Sequence, residues 1–296
     1  MVGVLGEGVV DAAAPVLRAD DLGALRGDGC FETVRVRHAA ARALDSFDAH
    51  LARLARSAAA LDLAAPDDDA WHDLVAGMLA AWERSGEAVL RLVLTRGAEG
   101  GEGRPSAFAV LSRVPADTLR QRAAGVRVVT LGRGMPADAH SGAPWLLGGV
   151  KATSYAVNMA AIRHARSLGA EDVIFVSTDG QLLEGPTATV VWAADGTLRT
   201  PPAEPLGILD GTTVRRLVEH AADVGLSAEV ARGTVADLLA ADGVWLVSSI
   251  RIAATVTELD GTALTPPADL TARVQHAAAF PGLLPRNPLR APMPRT

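Results

Sequence analysis

The first third of the chain changes from strand-like to helical patterning and back again. Apolar residues recur at helical spacing in one segment, which predicts a helix over residues 50–61 whose apolar face carries Leu51, Leu54, Ala58 and Leu61. A second helical period covers residues 67–84, behind Pro66 and an acidic first turn. Runs that favour strands lie on both sides of this helical pair, at residues 29–36, 43–44, 89–95 and 107–113. This order predicts a mixed layer of sheet and helices.

The rest of the chain repeats the alternation of strands and helices. Strand patterns occupy residues 126–131, 172–176, 187–193, 244–248 and 254–259, and helical patterns occupy residues 153–168, 214–224 and 235–240. The Asp-Gly pairs Asp179-Gly180 and Asp195-Gly196 favour tight hairpins. A boundary near residues 115–125 predicts two domains of mixed α/β class, residues 1–118 and residues 119–296.

Composition limits the possible functions. With 49% hydrophobic and 21% charged residues among 296, the chain can bury a large core. A net charge of −6 and dispersed arginines disfavour a nucleic-acid partner, and no apolar run approaches the length of a membrane span. Cys30 is the single cysteine, and residues 1–10 lack the basic residues of a signal peptide. We expect a cytoplasmic protein and predict no metal site.

One lysine carries the strongest chemical signal. Lys151 is the single lysine among 28 basic residues. Arginine can replace lysine as a solvated charge, but a guanidinium stays protonated and cannot attack a carbonyl carbon. A coding bias towards arginine leaves the surviving lysine unexplained. Lys151 also follows closely on a long irregular stretch, residues 132–149 with Gly148 and Gly149, and such stretches are usually functional. The sequence therefore predicts a lysine that forms a Schiff base.

Other polar residues are ambiguous when taken singly. Thr212 and Thr213 at a predicted helix start indicate either an anion site or an ordinary cap. Arg53 could be a solvated charge on its helix, and Glu184 could be a turn residue. Together with Lys151, however, they match the needs of pyridoxal phosphate. That cofactor requires an amine for its aldehyde, an arginine and helix-terminal N–H groups for its phosphate, and a carboxylate for its pyridine nitrogen.

Tyr155 is the single tyrosine and follows Lys151 by four residues. Since residues four apart share a helical face, we expect Tyr155 to lie beside Lys151 and to reach the phenolic oxygen of the cofactor.

A series of motifs occurs in a characteristic order. They are Gly27-Asp28-Gly29-Cys30-Phe31-Glu32-Thr33-Val34-Arg35, His50-Leu51-Ala52-Arg53-Leu54, Lys151 with Tyr155, Leu183-Glu184-Gly185, Thr200-Pro201-Pro202, Gly207-Ile208-Leu209-Asp210-Gly211-Thr212-Thr213 and Ser248-Ser249. Spanning roughly residues 20–262, this order resembles that of the class IV aminotransferases. These fold-type IV pyridoxal phosphate enzymes include branched-chain and D-amino acid aminotransferases and 4-amino-4-deoxychorismate lyase.

The resemblance implies a two-domain fold like that of D-amino acid aminotransferase, a homodimer, and a role for each matched residue. Lys151 would join the cofactor covalently, Glu184 would face the pyridine nitrogen and Leu209 would pack on the ring. The phosphate would be held by Arg53, Thr212, Thr213 and Ser249. Positions that line the family's substrate pocket correspond to Phe31, Arg35 and Arg91, which are also ordinary alternate strand positions.

One motif departs from the family. After the glutamate the family usually has Ser-Asn, whereas this chain has Ala188-Thr189. The role of that asparagine side chain is therefore left open here, because a threonine at position 189 can replace only part of it.

Details of the motifs favour the lyase branch, which converts 4-amino-4-deoxychorismate to 4-aminobenzoate and pyruvate. For this dicarboxylate we expect arginines at the pocket mouth, from among Arg35, Arg91, Arg104 and Arg251. One alternative is a transaminase acting on branched-chain or D-amino acids, which would use the same lysine. A second alternative, supported only by Ala188-Thr189, is a protein that binds pyridoxal phosphate without turnover.

Overall fold

The structure is a computed structural model that describes residues 1–38, 43–101 and 103–279. The N-terminal part forms a six-stranded antiparallel sheet with the strand order β2-β1-β6-β5-β3-β4. The strands are β1 (Val2–Val4), β2 (Gly8–Val10), β3 (Gly29–His38), β4 (Ala43–Leu44), β5 (Ala88–Thr95) and β6 (Ser106–Arg113). β3 and β5 pair over eight residues, from Gly29 opposite Thr95 to Val36 opposite Ala88.

Helices cover one face of this sheet. α1 (Leu22–Arg26) precedes β3, and α2 (Phe47–Ala60) and α3 (Asp68–Ala80) follow β4. The apolar faces of α2 and α3 pack on the sheet in a core that includes Val34, Leu54, Trp71 and Leu90, whereas α1 has no buried residue. The predicted helix over residues 50–61 is confirmed, whereas α3 ends four residues before the predicted end at residue 84. β1 and β2 were not predicted, since three residues are too few to reveal a period of two.

The second sheet has eight strands. Its main order is β11-β10-β9-β12-β13-β7-β8, and β14 pairs with β13. The strands are β7 (Val126–Gly132), β8 (Asp172–Val176), β9 (Thr189–Ala194), β10 (Thr197–Thr200), β11 (Ser227–Val230), β12 (Gly243–Ser248), β13 (Ile252–Leu259) and β14 (Thr262–Ala263). Both parallel and antiparallel pairs occur, which makes the sheet mixed.

This sheet is buried on both faces. Along β12, Val244 and Leu246 pack into one apolar cluster while Trp245 and Val247 pack into another. This explains the continuous apolar run of the strand. The flanking helices are α4 (Ala116–Ala124), α5 (Ala156–Ser167), α6 (Ala203–Leu206), α7 (Thr212–Glu219), α8 (Val235–Ala240) and α9 (Ala268–Ala278), with 3₁₀ turns at Pro144–Leu146 and Ala222–Val224.

The two Asp-Gly signals have different outcomes. Asp195 and Gly196 both have positive φ and join β9 to β10 in an antiparallel hairpin, as predicted. The turn at Asp179-Gly180 does form, but the expected hairpin between β8 and β9 is wrong. β8 instead pairs with residues 181–184, through the bridge between Val176 and Leu182 and through the Phe175 N–H, which donates to the Glu184 carbonyl at 3.0 Å. β9 lies between β10 and β12.

The two sheets are joined through α4, which the sequence analysis treated only as a boundary. The predicted division between residues 118 and 119 falls within this helix and stays a prediction. The end of the predicted second domain, residues 280–296, lies outside the described residues. Within the part of the chain that the structure describes, no helix is long and apolar enough to cross a membrane.

Candidate active site

A cavity of about 610 Å³ is lined by residues of both sheets. The first sheet contributes Phe31 and Arg91, and the second contributes Thr189 and Val247. Its volume is within the range of small-molecule sites. Among the residues predicted from the sequence, the cavity brings together Phe31, Arg53, Arg91, Lys151, Tyr155, Glu184, Leu209, Thr212, Thr213 and Ser249.

Lys151 is held by backbone hydrogen bonds to β3 and by one bond to α2. Its carbonyl accepts the Phe31 N–H at 3.0 Å, and the Thr153 N–H donates to the Gly29 carbonyl at 2.8 Å. The Lys151 N–H donates to Ser57 Oγ on α2 at 3.2 Å. The lysine therefore lies in an extended segment pinned against β3, and its Nζ is 4.4 Å from the centre of the Phe31 ring.

The expected closeness of Tyr155 to Lys151 is confirmed, but the helical argument for it is wrong. α5 begins at Ala156, so neither residue is on a helical face. A turn in which the Tyr155 N–H donates to the Thr153 carbonyl at 2.7 Å precedes the helix. The Tyr155 hydroxyl lies 3.4 Å from Lys151 Nζ, and its ring contacts Phe31 edge to face with centres 5.2 Å apart.

Burial shifts the Lys151 amine towards its neutral form. Removal from water lowers the pKa of Lys151 to about 8, with Glu32 raising it and Arg53 lowering it further. An amine with a pKa in this range is partly unprotonated near neutral pH and can act as a nucleophile.

Glu184 shows the opposite shift. Its carboxylate accepts the Leu209 N–H at 3.2 Å. Burial raises the pKa of Glu184 to about 7, although the Leu209 N–H and the charges of Lys151 and Arg133 lower it. The Glu184 side chain is thus bonded to the loop before α7, and Glu184 is not simply a turn residue. Two half-buried groups with pKa values displaced towards neutrality are typical of an active site.

The start of α7 offers free backbone donors. Gly211 is the N-cap residue, and no side chain caps the helix. Thr212 and Thr213 are its first helical residues, so the reading of them as caps is wrong. Their backbone N–H groups and hydroxyls, with Ser249 Oγ 3.5 Å from Thr213 Oγ1, line the cavity. Unpaired N–H groups at a helix start favour an anion.

Arg53 lies beside this helix start and is held by a residue that the sequence analysis did not single out. Glu32 accepts from Arg53 Nε at 2.6 Å and from Nη2 at 2.8 Å, and Arg53 Nη1 donates to the Asp210 carbonyl at 2.8 Å. His50 Nδ1 lies 2.6 Å from Glu32. Two features of the sequence could have predicted this cluster. Glu32 lies inside an otherwise apolar strand, and His50 and Arg53 are three residues apart on one predicted helix.

Three of the four arginines expected at the pocket mouth do not have the expected free place in the cavity wall. Arg35 does not line the cavity, which corrects its expected place in the substrate pocket. It is 2% exposed and bonds to Glu87 and Asp45. Arg104 also lies outside the cavity lining. Arg251 lines the cavity, but Asp172 pairs with it at 2.5 Å.

Arg91 lines the cavity, as predicted, and so does Arg133, which the sequence analysis missed. Arg133 follows β7 and stacks on the Phe175 ring at 5.0 Å. Among the described residues, neither Arg91 nor Arg133 forms an ion pair with a carboxylate. The signal for Arg133 was its position directly after a strand, at the start of the long irregular stretch.

The departure from the family motif leaves Thr189 in the cavity wall. Its Oγ1 would lie 3.1 Å from a side chain added at Gly211, so it packs against the start of α7. The preceding turn is held by Asn158, whose Nδ2 donates to the Pro186 carbonyl at 2.7 Å.

The lowered pKa of Lys151 gives a direct prediction for the protein without cofactor. An amine reagent such as trinitrobenzenesulfonate attacks only the unprotonated form, so labelling of Lys151 should rise with pH through a midpoint of about 8. Because Lys151 is the single lysine, the Lys151→Arg variant gives the contribution of the terminal amine. A midpoint near that of a solvated lysine, about 10.4, would contradict the burial of the amine.

Comparison with known proteins agrees with this geometry. The model of the family described as amino-transferase class IV matches residues 29–259. A protein of Mycobacterium tuberculosis named as a bifunctional aminodeoxychorismate lyase / D-amino acid transaminase is 45% identical over 290 residues, which cover 94% of this chain and 98% of that protein.

Two solved structures of a hypothetical aminotransferase from Mycobacterium tuberculosis are also similar. The PLP-bound form is 44% identical and the form bound to alpha-ketoglutarate and PMP is 45% identical. Each has a TM-score of 0.89 and covers 94% of this chain and 98% of the solved chain. The chain therefore belongs to the class IV aminotransferase family.

Proposed function

We propose that this chain is a pyridoxal phosphate-dependent lyase that converts 4-amino-4-deoxychorismate to 4-aminobenzoate and pyruvate. The observation that carries the proposal is one cavity that combines a half-buried lysine and glutamate with two arginines lacking carboxylate partners among the described residues. The 45% identity to a protein named for this lyase activity supports it.

The cofactor is pyridoxal phosphate. The residues of the cavity fit its three polar groups. Lys151 supplies the amine for the aldehyde, and Glu184 supplies the carboxylate for the pyridine nitrogen. The free N–H groups of α7 and the Arg53 guanidinium suit the phosphate.

When bound, pyridoxal phosphate supplies an aldehyde that combines with amines and a ring that accepts an electron pair from the amine-bearing carbon. Lys151 would supply the amine for the aldehyde. With the substrate amine in its place, Nζ would remove the proton from the amine-bearing carbon and return it to the departing enolpyruvyl group. The Tyr155 hydroxyl, 3.4 Å from Nζ, would orient it, and Glu184, held by the Leu209 N–H, would provide the carboxylate for the pyridine nitrogen.

The free arginines suit the acidic substrate. Aminodeoxychorismate carries two carboxylates, and an arginine that already pairs with a protein carboxylate has fewer donors left for a substrate. Arg35 and Arg251 are paired in this way, whereas Arg91 and Arg133 are not paired with carboxylates among the described residues. We therefore assign substrate carboxylate binding to Arg91 and Arg133.

Transamination of D-amino acids is the second candidate, since the same relative is named for both activities. The two reactions share the amine exchange and the first proton removal. They differ in where the proton and the electron pair go next, so the residues around the cofactor support both.

The experiment that tests the function separates these outcomes. Aminodeoxychorismate alone should yield equal amounts of 4-aminobenzoate and pyruvate over many turnovers, because a lyase needs no second substrate. Parallel samples with D-alanine, L-leucine or L-glutamate and no keto acid should form little pyridoxamine phosphate. Stoichiometric formation of pyridoxamine phosphate from one of these amino acids, without any 4-aminobenzoate from aminodeoxychorismate, would make the transaminase the correct assignment.

The arginine assignment predicts a specific kinetic change. Arg91→Gln and Arg133→Gln should each raise KM for aminodeoxychorismate about ten- to a hundredfold, the equivalent of one charge-assisted contact of about 1.5–3 kcal/mol. Arg113→Gln, at an exposed arginine on the same sheet as Arg91 and outside the cavity, is the matched control and should leave KM unchanged. Unchanged KM in both cavity variants would contradict the assignment.

We also propose a homodimer. Large apolar side chains are exposed near the cavity mouth, with Trp145 75% and Val157 60% exposed, and the half-exposed Leu146 lines the cavity itself. Light scattering should give twice the chain mass of 30.5 kDa. Trp145→Asp should shift the equilibrium towards the monomer, and a fully active wild-type monomer would refute this proposal.

A further inference from the structure

Glu32 is a fully buried carboxylate next to the cavity, and it does not line the cavity. Its side chain is 0% exposed on β3, and its neighbours Phe31 and Thr33, which do line the cavity, alternate with it along the strand. Hydrogen bonds offset the cost of this burial. Although burial favours the neutral acid, bonds from Arg53 and His50 hold the pKa of Glu32 at about 2.

Glu32 determines which edge of Arg53 faces the cavity. The carboxylate oxygens accept from Nε and Nη2, which is a bidentate pairing along one edge of the guanidinium. Nη1 donates to the Asp210 carbonyl, one residue before the Gly211 cap of α7. Of the five N–H groups of an arginine, one on Nη1 and one on Nη2 therefore remain for an anion. Without Glu32, the guanidinium could rotate and present other N–H groups.

Glu32 also orients His50. With His50 Nδ1 2.6 Å from the carboxylate, the proton on that nitrogen faces Glu32, and Nε2 is left as an acceptor. Nε2 lies 3.2 Å from Thr212 Oγ1 and 3.4 Å from Ser249 Oγ. His50 Nε2 can therefore accept a hydrogen bond from the Thr212 hydroxyl and fix the side chain of the residue that opens α7. Burial lowers the pKa of His50, which keeps this acceptor neutral despite Glu32.

We propose that Glu32 is a positioning residue for the phosphate group of the cofactor, acting through Arg53 on one side and through His50, Thr212 and Ser249 on the other. Its own side chain does not line the cavity. The competing explanation is that Glu32 only balances the charge of Arg53 and stabilises the fold. The inference concerns cofactor binding and does not depend on which reaction the enzyme catalyses.

Pyridoxal, which has the same ring and aldehyde but no phosphate, distinguishes these explanations. Dissociation constants of pyridoxal phosphate and of pyridoxal are measured by absorbance on protein freed of cofactor, without any turnover. Glu32→Gln keeps the shape but removes the charge and places an amide nitrogen against a donor. It should raise the dissociation constant of pyridoxal phosphate about ten- to a hundredfold, while that of pyridoxal changes less than about twofold. Inorganic phosphate should also compete less well in this variant.

The matched control is Asp21→Asn. Asp21 is equally buried in the same part of the chain, accepts bonds from Thr95 Oγ1 and Ser106 Oγ, and lies outside the cavity lining. This variant should lose stability without changing the ratio of the two dissociation constants. An unchanged ratio in folded Glu32→Gln, or an equal loss of both ligands, would overturn the proposal.

A second variant keeps the test decisive if Glu32→Gln does not fold. His50→Asn retains an amide donor near the position of Nδ1 and removes the Nε2 acceptor, so it leaves the Arg53 pair intact. The dissociation constant of pyridoxal divided by that of pyridoxal phosphate should then fall severalfold. This decrease should be smaller than in Glu32→Gln. A ratio equal to that of the wild type in His50→Asn would exclude the path through Thr212 and overturn the proposal in that case.

Discussion

The short backbone pairing between β3 and the segment that carries Lys151 is the contact on which the site depends. It requires a close approach, which the first motif permits. A side chain at Gly27 would lie 2.7 Å from Ser154 Oγ, and one at Gly29 would lie 3.3 Å from Thr153 Oγ1. Gly27 also has a φ of 69°, which glycine adopts without strain. The Gly-Asp-Gly motif thus lets the segment before α5 approach the first sheet closely.

This pairing determines the electrostatics of the cavity. β3 alternates Phe31 and Thr33 towards the cavity with Glu32 towards α2, and α2 contributes His50, Arg53 and Ser57 along one stripe. Lys151 and Glu184 are both partly shielded from water, and each lies within the electrostatic field of the other. Burial favours the neutral form of both groups, so the pKa of the base falls while the pKa of the acid rises. A ligand that forms hydrogen bonds with both Lys151 and Glu184 compensates these groups for the hydration they lose on burial.

Much of this arrangement could be predicted from local sequence. Periodicity predicted most strands, α2 and α8, and the uniqueness of Lys151 singled it out without any structure. Features that depend on distant partners could not be predicted. Arg35 and Arg133 cannot be distinguished by their sequence positions. Arg35 differs because Glu87 and Asp45, which are distant in the sequence, form ion pairs with it in the fold. Tyr155 reached the expected place through a turn, because α5 starts one residue later.

In our proposal, the groups around the cofactor and the groups at the cavity mouth have separate roles. Lys151 and Glu184 would serve steps that lyase and transaminase cycles share. The difference lies in whether the substrate carries a group that can leave once the electron pair is available. Selection between the reactions therefore depends on how well the mouth binds a substrate with two carboxylates. Since protein carboxylates already engage Arg35 and Arg251, this selection rests with Arg91 and Arg133 in our proposal. A change confined to the mouth could alter the reaction without disturbing the cofactor residues.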